Sequence, residues 1–229
     1  MTAPLFLPGA GGGASLWEPL AARFGGRVVP LPRARSVAAI ADGVSAEALA
    51  APEPPVLAGN SLGALVALEL ARRRPVAGLL LLAAGWEFPV ADSVLAAAAA
   101  ATPMTYARIA DRYLGGPTAP PELLAAIERD FASREPGTLA DHLTAIRDQP
   151  RRDPGPQPPT TILVRGGRDR SVSLEDQVEL AARLGAALVQ IPEAAHMPFV
   201  DHPDEVGLWL ERLLAIVAAE RRSPAAVVA

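Results

Sequence analysis

Short apolar runs alternate with amphipathic helical patterns along most of this chain, and that alternation restricts the possible folds more than any other feature. Run 76–85, VAGLLLLAAG, is apolar throughout, as expected of a parallel strand covered on both faces. We therefore predict an α/β fold with a mostly parallel sheet of about six strands and helices on both faces. The runs predicted as strands are 4–8, 27–32, the first part of 54–74, 76–85, 160–166 and 186–193. Helices are predicted over 15–24, 36–50 (with Ser36 as N-cap), the second part of 54–74, 173–185 and 203–220.

Residues 87–158 interrupt this alternation, since they contain several helical patterns and no strand pattern. An all-helical insertion between two strands is most simply a lid over the edge of the sheet. We predict a helical cap over 87–158, inserted into a core formed by 1–86 and 159–229. The proline-rich stretch 150–159 is expected to be a stiff connector, and the tail 221–229 is expected to fray.

Composition excludes several classes of function. The chain of 229 residues has a net charge of -4, which provides no basic field for nucleic acid or an anionic membrane. It has no cysteine, so disulfides, thiolate metal sites and a cysteine nucleophile are excluded. Its apolar runs are too short to span a bilayer and its start lacks a secretory pattern. We expect a soluble cytoplasmic protein with a small-molecule substrate, no metal and no cofactor; no pattern indicates an oligomeric state.

The segment 54–74, PPVLAGNSLGALVALELARRR, changes from a strand pattern to a helix pattern at one glycine-bounded corner. That corner, Gly59-Asn60-Ser61-Leu62-Gly63, matches G-x-S-x-G, in which the serine occupies a sharp, strained turn above the sheet. Glycines are needed beside such a turn because a Cβ would collide with the strand or the helix. An ordinary strand-to-helix turn with a solvent-exposed serine is the alternative interpretation. The frame around the motif favours Ser61 as a nucleophile.

A serine hydroxyl needs a base to accept its proton, and the chain has three histidines. His196 follows the predicted strand 186–193, at the sheet edge where parallel folds gather their functional residues. His142 lies in a helical pattern of the insertion and is expected to be a surface or lid residue. His202 precedes a proline and is expected to cap the last helix or lie on the surface. Position and elimination favour His196 as the base.

The base in turn needs a carboxylate to fix its tautomer and stabilise the imidazolium. Asp169 follows the strand 160–166, one βαβ unit before His196, so both side chains should emerge at the same edge. The order serine, aspartate, histidine is the one expected for this architecture. A helix cap or an ion pair with a neighbouring arginine is the alternative role for Asp169. Glu87 is a second candidate acid, since its loop leaves the same edge.

The glycine-rich stretch 9–14, GAGGGA, permits two interpretations. It matches the dinucleotide-binding pattern G-x-G-x-x-G/A, which requires an acidic residue about 20 positions later. The sequence there, PLPRARS, is rich in arginine and has no acidic residue, so it could contact only a 2′-phosphate. Pro8, directly before the first glycine, also fits the dinucleotide-binding turn poorly. In the other interpretation, the loop brings the Ala10 amide to a carbonyl oxygen attacked by Ser61, with the Leu62 amide as the second oxyanion donor.

These motifs resemble those of the α/β-hydrolase superfamily, over nearly the whole chain from Pro4 to about Glu220. By that resemblance Ser61 is the nucleophile, His196 the base and Asp169 the acid, with a small helical cap. The chain departs from the family in beginning at what would be the third strand, so the usual N-terminal hairpin should be absent. It also has Pro8-Gly9 where many members carry His-Gly. The matching stretches are 59–63, 166–169 and 195–198.

The sequence thus predicts a serine hydrolase that cleaves a carboxylic ester of a small to medium apolar substrate through an acyl-enzyme on Ser61. Thioesterase, lactonase and carbon–carbon bond hydrolase are alternatives with the same residues. The loop at 8–12 resembles that of type II thioesterases, whereas the C-terminal Asp…His segment resembles capped esterases and carbon–carbon hydrolases. An NADP-binding oxidoreductase and a non-catalytic ligand-binding member are further alternatives. Candidate pocket walls, for which apolar core is the simpler interpretation, are Trp86, Phe88, Met104, Tyr106, Met197 and Phe199.

Overall fold

A six-stranded sheet forms the centre of the computed structural model, which describes residues 3–44, 53–115, 119–150 and 159–222. The strand order is β2-β1-β3-β4-β5-β6 and every neighbouring pair is parallel. The predicted α/β fold with about six parallel strands is therefore confirmed. The strands are β1 Leu5–Leu7, β2 Arg27–Val28, β3 Val56–Asn60, β4 Gly78–Leu82, β5 Thr160–Gly166 and β6 Ala187–Ile191.

Helices cover both faces of this sheet. Every residue of β3 and β4 is buried, because α3 packs on β1, β3 and β4 while α10 packs on β4 and β5. Burial on both faces explains why run 76–85 carries no polar side chain. The helices are α1 Glu18–Arg23, α2 Val37–Gly43, α3 Leu62–Arg73, α4 Asp92–Ala100, α5 Pro103–Tyr113, α6 Pro121–Ala132, α7 Thr138–Arg147, α8 Leu174–Leu184, α9 Pro198–Asp201 and α10 Pro203–Arg222.

Several elements begin or end differently from their predicted bounds. β2 is only two residues long because Pro30 has no backbone N–H to donate to a neighbouring strand. The predicted first helix starts late, at Glu18, after the glycine-rich loop. Ser36 caps α2 as predicted, since its Oγ accepts a 3.2 Å hydrogen bond from the Ala39 amide. The predicted continuation of α2 through 45–50, most of the connector 150–159 and the tail beyond Arg222 lie outside the described residues.

Four helices, α4 to α7, lie between β4 and β5, and the described part of that insertion contains no strand. Within it α5 packs on α6 and α4 packs on α7, and α7 also contacts α3 of the core. None of the described helices combines the length and the apolar content needed to cross a membrane.

The order of the strands determines where a ligand can bind. The chain runs from β1 to its outer neighbour β2 and then crosses back to place β3 on the other side of β1. At such a reversal the loops after the two central strands diverge and leave a crevice at their carboxyl ends. The loop after β1 is the glycine-rich stretch, and the loop after β3 carries Ser61. Topology therefore brings these two motifs to one crevice.

Candidate active site

Ser61 occupies a strained turn between β3 and α3. Its φ is 53° and its ψ is -113°, a conformation that non-glycine residues rarely adopt. The Ser61 amide donates to the Leu82 carbonyl at 2.9 Å, which ties the turn to the end of β4. A Cβ at position 63 would overlap the Leu7 carbonyl oxygen, so only glycine allows α3 to start this close to β1. This is the local geometry that G-x-S-x-G predicts.

The Ser61 side chain is buried but has room to react. The residue is 2% exposed, and its hydroxyl has no hydrogen-bond partner among the described residues. Ser61 and His196 line the same cavity. Hydrogen bonds between a nucleophile and its base are often long without substrate and shorten when substrate binds. The structure thus brings the predicted nucleophile and the predicted base to one space.

His196 and Asp169 form a buried pair. The Nδ1 atom of His196 lies 3.0 Å and 3.1 Å from the two carboxylate oxygens, and the side chains are 1% and 0% exposed. Oδ1 of Asp169 also accepts the Ser171 amide at 2.7 Å. Because the carboxylate binds Nδ1, the Nε2 atom of the ring is left to accept a proton from another group.

The environment of Asp169 keeps its carboxyl group ionised. Burial by itself would raise the pKa of Asp169, but the charge of His196, its hydrogen bond and the amides of Ser171 and Val172 outweigh burial and lower the pKa below the ordinary value. Asp169 therefore accepts hydrogen bonds from the backbone of its own loop and pairs with the Nδ1 atom of His196. This differs from the alternative interpretation of an arginine pair or a helix cap.

Two residues that the sequence did not single out fix the loop of His196. The side-chain amide of Asn60 donates to the His196 carbonyl at 2.9 Å and, more weakly, to the Leu82 carbonyl at 3.3 Å. The His196 amide donates at 2.9 Å to the carbonyl of Tyr113, at the end of α5, and the two rings are 4.9 Å apart. Burial raises the pKa of Tyr113 to about 12, so its phenol stays neutral. Asn60 could be suspected only from its place beside Ser61, and Tyr113 carries no sequence signal.

The glycine-rich loop forms a tight turn beside Ser61. Gly12 donates to the Gly9 carbonyl at 3.1 Å, and Gly11 has a φ of 70°, as the third residue of a type II turn requires. The amide of Ala10, the second residue of this turn, donates to no acceptor within the described residues. The Leu62 amide, at the first position of α3, has no acceptor within its own helix. Neither predicted oxyanion donor therefore has a hydrogen-bond acceptor among the described residues.

A small cavity of about 10 Å³ lies between the loop and the nucleophile. Ala10, Asn60 and Ser61 contribute to its lining. This volume is about the space that one water molecule or a single oxygen atom needs. Trp17 and Phe199 close this cavity by stacking at 3.8 Å between ring centroids, with planes 9° apart.

A larger cavity of about 150 Å³ also reaches Ser61 and is lined mainly by the insertion. Among the predicted pocket residues Phe88 lines it, whereas Met197 and Phe199 line the small cavity. Met104 is 64% exposed and so is not a wall of either cavity. Trp86 and Tyr106 pack in the apolar core rather than lining these two cavities. The full lining is Ser61, Phe88, Pro89, Val90, Ala91, Val94, Ile109, Arg112, Tyr113, Leu143, Ile146, Ser171 and His196.

The remaining candidates lie away from this centre. Glu87 is exposed and its amide donates to Asp176, while the carboxylate that contacts His196 belongs to Asp169. His202 is partly exposed beside Asp201. Within the described ranges no group of three or more histidine, aspartate or glutamate side chains could hold a metal ion. His142 lies on α7 of the insertion, the predicted lid region, but it is fully buried and not on the surface.

Taken together, a parallel α/β sheet with a serine on a strained strand-to-helix turn, beside a buried histidine–carboxylate pair, defines the class of protein. The model of the Alpha/beta hydrolase family matches residues 5–207, and the chain belongs to this family. A search of curated proteins gave no match.

Many solved structures share the fold. A structure titled as a thermophilic esterase has a TM-score of 0.82 and 21% identity, covering 95% of this chain and 91% of its own. An enol-lactonase from Burkholderia xenovorans LB400 has a TM-score of 0.75 and 18% identity, with 93% and 90% coverage. The type II thioesterase BorB from the borrelidin biosynthetic cluster has a TM-score of 0.68 and 21% identity, with 93% of each chain covered. At these identities the likeness is one of fold.

Proposed function

We propose that this protein is a serine hydrolase that cleaves a carboxylic ester of a small to medium apolar substrate through an acyl-enzyme on Ser61. The observation that carries the proposal is the buried pair of Asp169 and His196, 3.0 Å apart, lining one cavity with a strained and unpartnered serine. Ser61 combines a φ of 53° with a ψ of -113°, the strained turn expected for a nucleophile of this type. This turn, together with competent residues at all three positions, favours a catalytic over a non-catalytic member of the family.

In the proposed reaction the Ser61 oxygen attacks the ester carbonyl while His196 Nε2 accepts the hydroxyl proton. The carbonyl oxygen becomes an oxyanion that accepts hydrogen bonds from the amides of Ala10 and Leu62. Each such donor contributes about 3 kcal/mol to the transition state. Collapse breaks the ester C–O bond, and His196 returns the proton to the leaving alcohol. A water molecule then attacks the acyl-enzyme by the same route and releases the acid.

Asp169 supports this cycle without contacting the substrate. Its ionised carboxylate orients the ring so that Nδ1 carries a proton and Nε2 is the base. It also stabilises the imidazolium that forms in both steps. The depressed pKa of Asp169 keeps this charge in place throughout the neutral range.

The size of the larger cavity supports a small to medium substrate. A mainly apolar cavity of about 150 Å³ has room for a molecule of the size of benzene. We therefore expect an acyl or alkyl group of about six carbon atoms. Thioesters, lactones and carbon–carbon bonds next to a carbonyl can react through the same residues. The helices of 87–158 act as the cap in this proposal, since Ile109, Leu143 and Ile146 form much of the apolar wall.

A dinucleotide-binding function fits the loop poorly. A phosphate cradle needs free amides, yet the Gly11 amide donates to His142 at 3.1 Å and the Gly13 amide donates to Asp130 at 2.6 Å. The Asp130 carboxylate would also repel a pyrophosphate. We therefore do not favour an NADP-binding oxidoreductase.

The experiment combines labelling with a substrate panel. A fluorophosphonate probe should modify Ser61 in folded protein, and modification should disappear in Ser61→Ala. Chromogenic esters and thioesters of increasing acyl length should show maximal kcat/KM near about six carbons, with a decline beyond that length. Ser36→Ala is the matched control, because it removes a serine that only caps α2. Equal turnover by the wild type and Ser61→Ala would refute the proposal.

A further inference from the structure

Two buried polar side chains of the insertion contact the glycine-rich turn and have no part in the reaction described above. They are His142 on α7 and Asp130 on α6, and both are almost completely buried. Each is separated from its partner in the turn by more than 100 residues of sequence, 131 for His142 and 117 for Asp130. Burial of a polar group is costly unless it is hydrogen-bonded, so these contacts need explanation.

His142 bridges the turn and the segment after β2. Its Nδ1 lies 3.1 Å from the Gly11 nitrogen, and its Nε2 lies 2.9 Å from the Pro32 carbonyl oxygen. An amide can only donate and a carbonyl can only accept, so Nδ1 is the acceptor and Nε2 carries the proton. The two partners thus define one neutral tautomer of His142.

The contact with Gly11 acts on the peptide that follows the oxyanion donor. Type I and type II turns differ mainly by a flip of the central peptide, here the Ala10–Gly11 peptide. An acceptor at Nδ1 holds the Gly11 N–H in the type II orientation, consistent with the φ of 70° at Gly11. Helix α7 lies close to this residue, since a Cβ on Gly11 would be 2.7 Å from Cδ1 of Leu139.

Asp130 holds the other side of the same loop. Its Oδ2 accepts the Gly13 amide at 2.6 Å, and its Oδ1 accepts the Ser15 hydroxyl at 2.5 Å. Both oxygens are therefore used by the loop. Ala10 directly precedes Gly11, the first of the loop residues that these two insertion side chains contact.

We propose that His142 and Asp130 are positioning residues, which hold the glycine turn so that the Ala10 amide points at the oxyanion. The proposal rests on the proposed function, because an oxyanion forms only if Ser61 attacks a carbonyl. In this view the insertion, besides enclosing the substrate, sets the geometry of the oxyanion donors.

Two variants of His142 separate its two hydrogen bonds. His142→Asn can place an amide oxygen where Nδ1 lies and keep the acceptor for Gly11. His142→Gln extends one carbon further, so its amide nitrogen can keep the donor to Pro32 while the Gly11 amide loses its acceptor. Each variant removes one hydrogen bond, and His142→Asn also removes more side-chain volume than His142→Gln. A purely structural role therefore predicts that His142→Asn loses at least as much thermal stability as His142→Gln, and that His142→Gln has no lower kcat.

We expect His142→Gln to lower kcat by about 10-fold to 100-fold, with KM nearly unchanged. The upper limit is the loss that a 1 Å misplacement in an active site can cause. His142→Asn should keep kcat within about threefold of the wild type. In Asp130→Asn an NH2 group faces either the Gly13 amide or the Ser15 hydroxyl, both of which donate to Asp130, so one hydrogen bond to the loop is lost. The decrease in kcat should resemble that of His142→Gln. Equal kcat values for the two His142 variants would overturn the proposal.

A second readout does not depend on activity. Long-range ¹H–¹⁵N NMR spectra of the wild-type protein should show Nδ1 of His142 unprotonated and Nε2 protonated at neutral pH. The Gly11 amide resonance should shift strongly in His142→Gln and little in His142→Asn. A protonated Nδ1, or equal shifts in both variants, would refute the positioning role. If Ser61→Ala keeps full activity while His142 has the tautomer described, the proposed function is refuted and the hydrogen bond between His142 and Gly11 is not.

Discussion

Replacing Asp169 by asparagine tests the histidine–carboxylate pair most directly, because the structure predicts which way the new amide will face. Oδ1 of Asp169 accepts the Ser171 amide at 2.7 Å, and an asparagine will keep its carbonyl oxygen there. The NH2 group then occupies the position of Oδ2, 3.0 Å from Nδ1 of His196. Because NH2 can only donate, this arrangement favours the tautomer in which Nδ1 accepts and Nε2 carries the proton, although the retained carbonyl oxygen also lies 3.1 Å from Nδ1.

The expected loss is large because this tautomer cannot accept the proton of Ser61. Loss of the correct tautomer lowers kcat by about 10⁴-fold in a serine–histidine–aspartate system, or about 5.5 kcal/mol of activation free energy. KM should change little, since the Asp169 side chain is fully buried behind the ring and does not reach the substrate. The oxyanion donors and substrate binding should leave a residual rate above the uncatalysed reaction.

The assay is steady-state hydrolysis of a chromogenic ester by the wild type and Asp169→Asn, with fluorophosphonate labelling of Ser61 measured in parallel. The rate of ester hydrolysis and the rate of Ser61 labelling should fall together in Asp169→Asn. A thermal unfolding transition verifies that the variant is folded. Glu87→Gln is the matched control, because it neutralises the second candidate acid, which is exposed. A kcat within about tenfold of the wild type in Asp169→Asn would refute the assignment of the acid. A large loss in Glu87→Gln would refute it equally.

The packing, the cavity and the buried histidine each lead to one more expected outcome. Gly63→Ala should yield little folded protein, because its Cβ would overlap the Leu7 carbonyl; expression yield and circular dichroism check this, and a stable, fully active variant would contradict the packing. Ile146→Trp should fill the larger cavity and reduce kcat/KM for six-carbon acyl esters at least about tenfold relative to acetyl esters; an unchanged ratio would mean that the acyl chain binds elsewhere. Burial lowers the pKa of His142 below its ordinary value of 6.5. Below about pH 6.5 protons therefore bind preferentially to the unfolded chain, and the free energy of unfolding decreases as the pH falls. His142→Asn should remove this part of the decrease in urea titrations between about pH 7.5 and 5.5, and parallel curves for the two proteins would contradict it.

The local patterns of the sequence predicted the sheet and the order of the motifs well. Segment 54–74 encodes both its strand and its helix in consecutive residues, and the glycines at 59 and 63 are local requirements of the turn. The parallel arrangement then places residues after β3, β5 and β6 at one edge without further information. The G-x-S-x-G motif, the small number of histidines and this topology together made Ser61, Asp169 and His196 the candidates.

The sequence could not predict contacts that depend on how the insertion docks on the core. His142 lies in a helical pattern that would suit a surface helix equally well, and its burial results from packing of α7 against the loop after β1. Met104 shows the opposite error, since an apolar residue in the insertion remains exposed on α5. Asn60 makes its contact across 136 residues, which no local pattern records.

The carbonyl of Tyr113 at the end of α5 has a consequence for exchanging the insertion with that of another family member. That carbonyl accepts the His196 amide at 2.9 Å, so the inserted helices are part of the support of the proposed base as well as its cover. A grafted insertion must therefore reproduce one backbone acceptor at the His196 loop, whatever its side chains are. By contrast, we expect that wall residues such as Ile109 and Leu143 can be varied to change the acyl specificity of the proposed hydrolase. Chimeras designed by matching cavity shape alone would lose the alignment of His196 even where their substrate pocket is correct.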